Sequence, residues 1–238
     1  MIKITNLCKS FETGEGKIEA LKNISFEIAD GECVIIGGEN GSGKSVLMSI
    51  IASLEECDSG KIELFGQKVG LVFQEAETQI LGETPKEDVA FGPKNLGWKK
   101  DKIEKSVQDA LEKVDLSKKS EFPARFLSGG EKRRLAIACM IAMNLPIIIL
   151  DEPYANLDFC GVKQVNSLIK QLKSERKTII ILTHEIEKCL ALSTKFIVLF
   201  RGEKVFDGKP EEALKKNLEN WNIKNPLGKY EKLGDLIW

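Results

Sequence analysis

Gly38, Glu39, Asn40, Gly41, Ser42, Gly43, Lys44 and Ser45 follow the spacing G-x-x-x-x-G-K-S, a pattern whose chemistry is the cradling of phosphate. The glycines let the backbone wrap with its N–H groups pointing inward, where a Cβ would collide. The apolar run Val34 to Ile36 before it reads as a strand, and Val46 to Ala52 after it reads as a helix. The N-terminus of such a helix adds partial positive charge where phosphates sit. Lys44 would reach the β/γ-phosphates and the Ser45 hydroxyl would bind Mg²⁺. The pattern, with its flanks, predicts a nucleoside triphosphate site.

Hydrolysis needs more than a cradle. Ile147 to Leu150 is a compact apolar run that ends in Asp151 and Glu152, at the strand end where α/β proteins bind ligands. Asp151 is placed to hold Mg²⁺ through its water shell, and Glu152 to polarise the attacking water as general base. Gln74 follows the run Val69 to Phe73 and offers a neutral amide for the metal or the water. His184, the single histidine, follows Thr178 to Thr183, and its imidazole is a candidate hydrogen-bond donor to the γ-phosphate. Ser128, Gly129 and Gly130 head another helical stretch, giving a second helix end with free N–H donors. One phosphate chain does not readily sit on both ends within one molecule. The economical arrangement is head-to-tail pairing, each phosphate loop covered by the other subunit's Ser128 loop.

The elements that must position these residues are legible in outline. Ile2 and Ile4, then Ile24, Phe26 and Ile28, alternate with polar residues and predict antiparallel sheet, with Asp30-Gly31 as a turn. Lys61 to Leu64 reads as a further strand. The runs 69–73, 146–150, 178–183 and 196–199 lack alternation, as strands buried on both faces do. Helical spacing of Val162, Val165, Leu168, Ile169 and Leu172 falls between two of them, so the core is α/β with a mostly parallel sheet. From about 75 to 130 no strand is evident, and Ile103, Val107, Ala110, Leu111 and Val114 share a helical face, which predicts an inserted α-helical subdomain. The fold expected is a P-loop NTPase core over residues 1–210. A short helix, Glu211 to Leu218, and an apolar tail ending in Leu227, Tyr230, Leu233, Leu236, Ile237 and Trp238 follow it, the tail packing on its own domain or a partner.

The 238 residues carry a net charge of −1, so no bulk basic field draws nucleic acid or anionic lipid. Six scattered cysteines with no C-x-x-C pair support neither a zinc site nor a disulfide framework. The apolar stretch from Leu135 to Leu150 is interrupted by Asn144 and Pro146 and is shorter than the ~20 residues of a membrane span. A soluble protein is expected.

The ordered set of phosphate loop, Gln74, Leu127-Ser128-Gly129-Gly130, Asp151-Glu152, Asn156-Leu157-Asp158 and His184 resembles the nucleotide-binding subunit of ABC transporters. Val69 to Gln74, Gln79 to Leu81, Glu87 to Pro93 and Asn95 to Gly97 resemble the energy-coupling factor (ECF) ATPases, including their cobalt-type members. That resemblance implies ATP and Mg²⁺ as cofactors and a second ATPase subunit, identical or different. It also implies a transmembrane coupling protein and a substrate-binding membrane protein, and a place at the cytoplasmic face of the membrane. It makes Phe11 the aromatic that stacks on adenine, puts Asp158 in the loop that communicates across the dimer, and lines the membrane partner's groove with residues from Gln74 to Phe91. Glu131, Tyr154 and Asn156 depart from the family's usual residues and would fit a dimer with unlike sites. The alternative, a soluble ABC ATPase acting on ribosomes or DNA, would bring a second cassette or a long coiled coil, and neither is in the sequence. A non-catalytic scaffold subunit would have lost Lys44 or Glu152.

Overall fold

The structure, a computed structural model, describes residues 1–14 and 16–228. The part of the apolar tail from 229 to 238, with Tyr230, Leu233, Leu236, Ile237 and Trp238, lies outside the described residues.

Strands β1 (Ile2–Thr13) and β2 (Gly16–Ile28) form a long antiparallel hairpin, and β4 (Ser59–Glu63) pairs with the other edge of β1. Ile2 opposes Ile28 and Ile4 opposes Phe26, so the predicted alternation lines one face with apolar side chains. The last pair of the hairpin is Thr13 with Gly16, whereas Asp30-Gly31, with Gly31 at φ +78°, turns the chain out of β2.

The second sheet has the order β5 (Val69–Val72), β6 (Ile147–Asp151), β7 (Thr178–Thr183), β3 (Cys33–Gly37), β8 (Lys195–Phe200), β9 (Glu203–Gly208). All of its pairings are parallel except β8 with β9. Every residue of β3, β6 and β7 is buried, which is why these runs carry no polar alternation. Successive side chains still go to opposite faces. Val34, Ile36, Ile147 and Ile149 join the core beneath the antiparallel sheet and α1 (Lys44–Ile51). Cys33, Ile35, Ile148 and Leu150 join the core shared with α5 (Phe159–Ser174) and the helical subdomain.

That subdomain consists of α2 (Pro85–Asn95), α3 (Lys100–Lys113) and α4 (Gly129–Ala142). Thr84 caps α2, and Pro85 takes the first helical position, where its missing N–H has no carbonyl to bond. Two expectations need correction. The helix expected over Glu211 to Leu218 is only α6 (Pro210–Ala213), followed by a separate 3₁₀ turn at Leu218–Trp221 that Asn217 caps. Strand β9 was not foreseen: only Val205 and Phe206 are apolar in it, and its order comes from pairing with β8.

Candidate nucleotide site

Strand register assembles the site. Gly37 at the end of β3 is level with Thr183 at the end of β7, and Leu182 is level with Asp151 at the end of β6. Val72, ending β5, is level with Leu150. The phosphate loop, Gln74, Glu152 and His184 therefore leave neighbouring strand ends on one edge of the sheet. A cleft of ≈ 270 Å³ is lined by Asn40, Gly41, Gly43, Lys44, Ser45, Gln74, Glu152 and His184, with Ile18, Glu19 and Ala20 from the hairpin.

The loop has the conformation its glycines permit. Gly38, Gly41 and Gly43 have φ of +150°, +80° and +100°. A Cβ on Gly38 would lie 2.2 Å from the Leu199 carbonyl oxygen, whereas one on Gly41 would meet nothing. The loop is thus packed hard at its base and open where the cleft begins. Lys44 is 6 % exposed and donates to the carbonyls of Gly38 (2.8 Å) and Glu39 (2.9 Å). Burial pushes its pKa below the ordinary lysine value, opposed by the nearby carboxylates of Glu152, Asp151 and Glu39.

Facing it, Glu152 has φ +43°, an uncommon conformation for a residue with a Cβ and one that concentrates at functional sites. Its carboxylate is gripped by the chain. Oε2 accepts from Thr183 Oγ1 at 2.8 Å, and Oε1 lies 2.9 Å from His184 Nδ1 and accepts from the His184 N–H at 3.2 Å. The His184 ring, expected to address the γ-phosphate, is engaged here with Glu152. Asp151 is 6 % exposed and its pKa is raised to about 6, by burial first and by the Glu152 charge second, with Lys44 and Arg133 pulling it back.

Ser45, Gln74 and Asp151 offer a hydroxyl, an amide carbonyl and a carboxylate, an all-oxygen set that suits a hard divalent cation. Ser45 and Gln74 open onto the cleft. Asp151 is a buried carboxyl whose charge the protein itself compensates poorly, as a cation ligand would be. These residues fit Mg²⁺.

The remaining expected residues do not line this cleft. Ser128 is exposed and caps α4: its Oγ accepts from Glu131 N (3.3 Å), and Glu131 accepts from Ser128 N (3.0 Å). The carboxylate of Glu131 also pairs with Lys119 at 2.6 Å, which holds it below its usual pKa. Gly129 and Gly130 are the first two helical positions, whose N–H groups have no intrahelical acceptor. Asp158 caps α5 by accepting from Gly161 N at 2.7 Å. Phe11 is 38 % exposed with Lys9 Nζ 5.1 Å from its ring centre, and it opposes Ile18, which does line the cleft. Of the departing residues, Tyr154 is fully buried and donates to Asn166 at 2.7 Å, while Asn156 takes φ +59°, a conformation asparagine tolerates.

Two residues of the site had no sequence signal. Tertiary packing alone bonds Thr183 to the Glu152 carboxylate and brings the Arg133 guanidinium into the field of Asp151 and Glu152; Arg133 is 5 % exposed and donates to the Phe73 carbonyl at 3.1 Å. Gln79 clasps the end of β5, accepting from Phe73 N (2.8 Å) and donating to Leu71 O (2.9 Å), which fixes where Gln74 leaves the sheet.

A glycine loop with a buried lysine, opposed by a carboxylate dyad at the edge of a parallel sheet, defines a P-loop nucleotide hydrolase. The ABC transporter profile matches residues 21–155, more than half of the chain, and the chain belongs to that family of ATPases. It is 39 % identical over 236 residues to the energy-coupling factor transporter ATP-binding protein EcfA1 of Ligilactobacillus salivarius, covering 94 % of this chain and 83 % of that one. Its fold matches cbiO1 from Clostridium perfringens, described as part of the ABC transporter complex cbiONQ, with TM-score 0.80, 31 % identity and coverage of 94 % and 95 %. It also matches a dimeric ATP-binding cassette in a post-hydrolysis state bound to ADP and Pi, with TM-score 0.80, 30 % identity and coverage of 88 % and 99 %. Among the described residues no helix is long and apolar enough to cross a membrane.

Proposed function

We propose that this chain is the ATP-hydrolysing subunit of an ECF-type uptake transporter. It pairs head-to-tail with a second ATPase subunit around two MgATP and works at the cytoplasmic face of the membrane, beneath a coupling protein and a substrate-binding protein that take up a vitamin or metal ion. One observation carries the reading. Lys44, Glu152 and His184 meet in one cleft, while the Ser128 helix end of the same chain is exposed and elsewhere. In a head-to-tail pair, that free helix end closes the partner's cleft.

Within each site, Lys44 exchanges its loop carbonyls for phosphate oxygens, and Ser45, Gln74 and Asp151 would hold Mg²⁺, which would supply charge neutralisation at the phosphates. Glu152 takes the proton of the attacking water at a carboxylate oxygen, and His184 orients that carboxylate through Oε1. Phe11 offers an exposed ring for adenine, and Asp158 lies in the loop linking the two sites.

A groove of ≈ 340 Å³ between α2 and α4, with Leu81, Phe91, Leu96, Met140 and Met143 in its lining, supports the membrane coupling. Leu81 and Phe91 are 68 % and 49 % exposed, which is unusual for large apolar side chains gathered in one place. A larger cavity of ≈ 880 Å³ beside α2 and α3 is edged by Lys86, Glu87, Lys94, Lys100, Glu104 and Glu121 and lies away from this chemistry. The test is affinity capture of the tagged chain from detergent-solubilised membranes, with an ATPase assay on the captured material. Membrane proteins and ATPase activity should appear together, and Lys44→Ala should abolish nucleotide binding. Capture of ribosomes or DNA in place of membrane polypeptides, or undiminished ATP affinity in the lysine variant, refutes the proposal.

A further inference from the structure

The chain beyond β9 returns to the phosphate loop. Leu218 and Ile223 are 1 % and 4 % exposed and belong to the same core as Phe196. The Trp221 ring lies 6.1 Å from that of Phe206, which lies 6.2 Å from that of Phe196. Phe196 in turn fills the space over Gly37, where a Cβ would approach its ring at 2.8 Å. An aromatic ladder thus links the 3₁₀ turn at 218–221 to the last residue of β3. Immediately after that ladder, Asn222 donates from Nδ2 to Glu39 Oε2 at 2.6 Å. Glu39 is the second residue of the phosphate loop, and its carbonyl accepts from Lys44. Asn222 has φ +55° and ψ +31°, a left-handed conformation that asparagine, aspartate and glycine hold at low cost.

A carboxylate inside a phosphate-binding loop is an electrostatic liability, because it repels the ligand the loop is built to hold. A side-chain amide can bind such a carboxylate without altering the net charge, and can set the direction in which it points. We infer that Asn222 is a positioning residue for nucleotide binding: it holds the Glu39 carboxylate on the C-terminal segment and away from the phosphates. The segment around residues 218–223 thereby becomes part of the determinants of ATP affinity. The inference rests on the proposed nucleotide site and adds a residue to it that is 178 positions from Lys44 in sequence (222 − 44).

The left-handed backbone at 222 makes the test clean. Asn222→Gly removes the donor and keeps the conformation, and Asn222→Asp keeps the conformation but faces Glu39 with a second carboxylate. Binding of a fluorescent ATP analogue to the full chain with Mg²⁺, and KM and kcat of the captured complex, are measured for both variants. They are measured again in a Glu39→Gln background. Asn222→Gly should raise the dissociation constant about 3- to 10-fold, in keeping with loss of one charge-assisted hydrogen bond. Asn222→Asp should raise it further, by a factor that shrinks in high salt. KM should move and kcat should stay within about two-fold, since Asn222 touches no group of the Glu152–His184 pair. With glutamine at 39, both substitutions should change affinity less than about two-fold, since no carboxylate remains to be positioned. Wild-type affinity in both variants overturns the inference, as does an equal loss whether residue 39 is glutamate or glutamine. Failure of the wild-type chain to bind the analogue overturns the nucleotide site itself, and the inference falls with it.

Discussion

Replacing Asp151 with asparagine should stabilise the nucleotide-free protein while disabling it. Asp151 is 6 % exposed and sits beside Glu152, and its pKa is raised from 3.8 to about 6. A carboxyl whose pKa is higher in the folded than in the unfolded chain binds more protons when folded. Its penalty on stability is therefore absent below the unfolded value, grows as pH rises, and is complete above the folded value. About two pKa units at about 1.36 kcal/mol each give a penalty of about 3 kcal/mol at pH 8 and roughly half of that at pH 5. The favourable pull of Lys44 and Arg133 is already contained in that net value. Asparagine has nearly the same volume and never ionises, so Asp151→Asn should recover the difference. At about 2–4 °C per kcal/mol for a chain of this size, the variant's Tm should exceed wild type by about 6–12 °C at pH 8, with the gap narrowing toward pH 5. Thermal and urea unfolding in EDTA across that pH range measure it. MgATP at about 1,000 times its Kd should reverse the order, because it stabilises by about 4.1 kcal/mol only the protein that binds it. A gap independent of pH, or a wild-type protein that is the more stable at pH 8 without nucleotide, would refute the reasoning.

Glu152→Gln should retain nucleotide binding and lose roughly 10²- to 10⁴-fold in turnover, the usual worth of a general base; steady-state ATPase assays of the captured complex check it, and normal turnover would assign the water to another group. Gly38→Ala should unfold at markedly lower denaturant, with a loss of about 3 kcal/mol or more, since its Cβ would lie 2.2 Å from the Leu199 oxygen at φ +150°. Gly41→Ala, whose Cβ meets nothing, should lose less in the same urea titration. Leu81→Glu, at a side chain 68 % exposed, should leave Tm nearly unchanged yet reduce recovery of membrane polypeptides in affinity capture.

The phosphate loop, both acidic residues and the three central strands were legible because each is a local pattern. A glycine spacing forces a backbone, and an uninterrupted apolar run such as Ile147 to Leu150 forces burial. The hairpin was legible only at its open end, around Ile2, Ile4, Phe26 and Ile28. Between Ile4 and Ser10 its register shifts three times, so alternation fails there although pairing continues to Thr13. Strand β9 had no such pattern, because an edge strand with one solvated flank needs only Val205 and Phe206 to hold it. The sheet order was also beyond reach: β3 lies between β7 and β8, partners more than 140 residues away. For the same reason Thr183, Arg133 and Asn222 were invisible. Each acts on a group to which only the fold brings it, and nothing in its own neighbourhood marks it.

The charges of the cleft suggest how ATP energy is divided. Lys44 is already out of water and already bonded to two loop carbonyls, so accepting phosphate exchanges one set of acceptors for a charged one and costs little fresh desolvation. Glu152 is likewise held before any substrate arrives, by Thr183 and His184. Binding to this half is therefore preorganised, and it can spend little energy on moving anything. The Ser128 end is the opposite case, since it is exposed and has helix-start N–H groups at Gly129 and Gly130 with no intrahelical acceptor. Under the proposed head-to-tail pairing, these donors find phosphate only when two subunits close. A ligand shifts a conformational equilibrium only by its differential affinity for the two states. That difference would reside at the serine–glycine helix end rather than at the lysine loop, which places the mechanical work of ATP in the half of the site each chain lends to its neighbour.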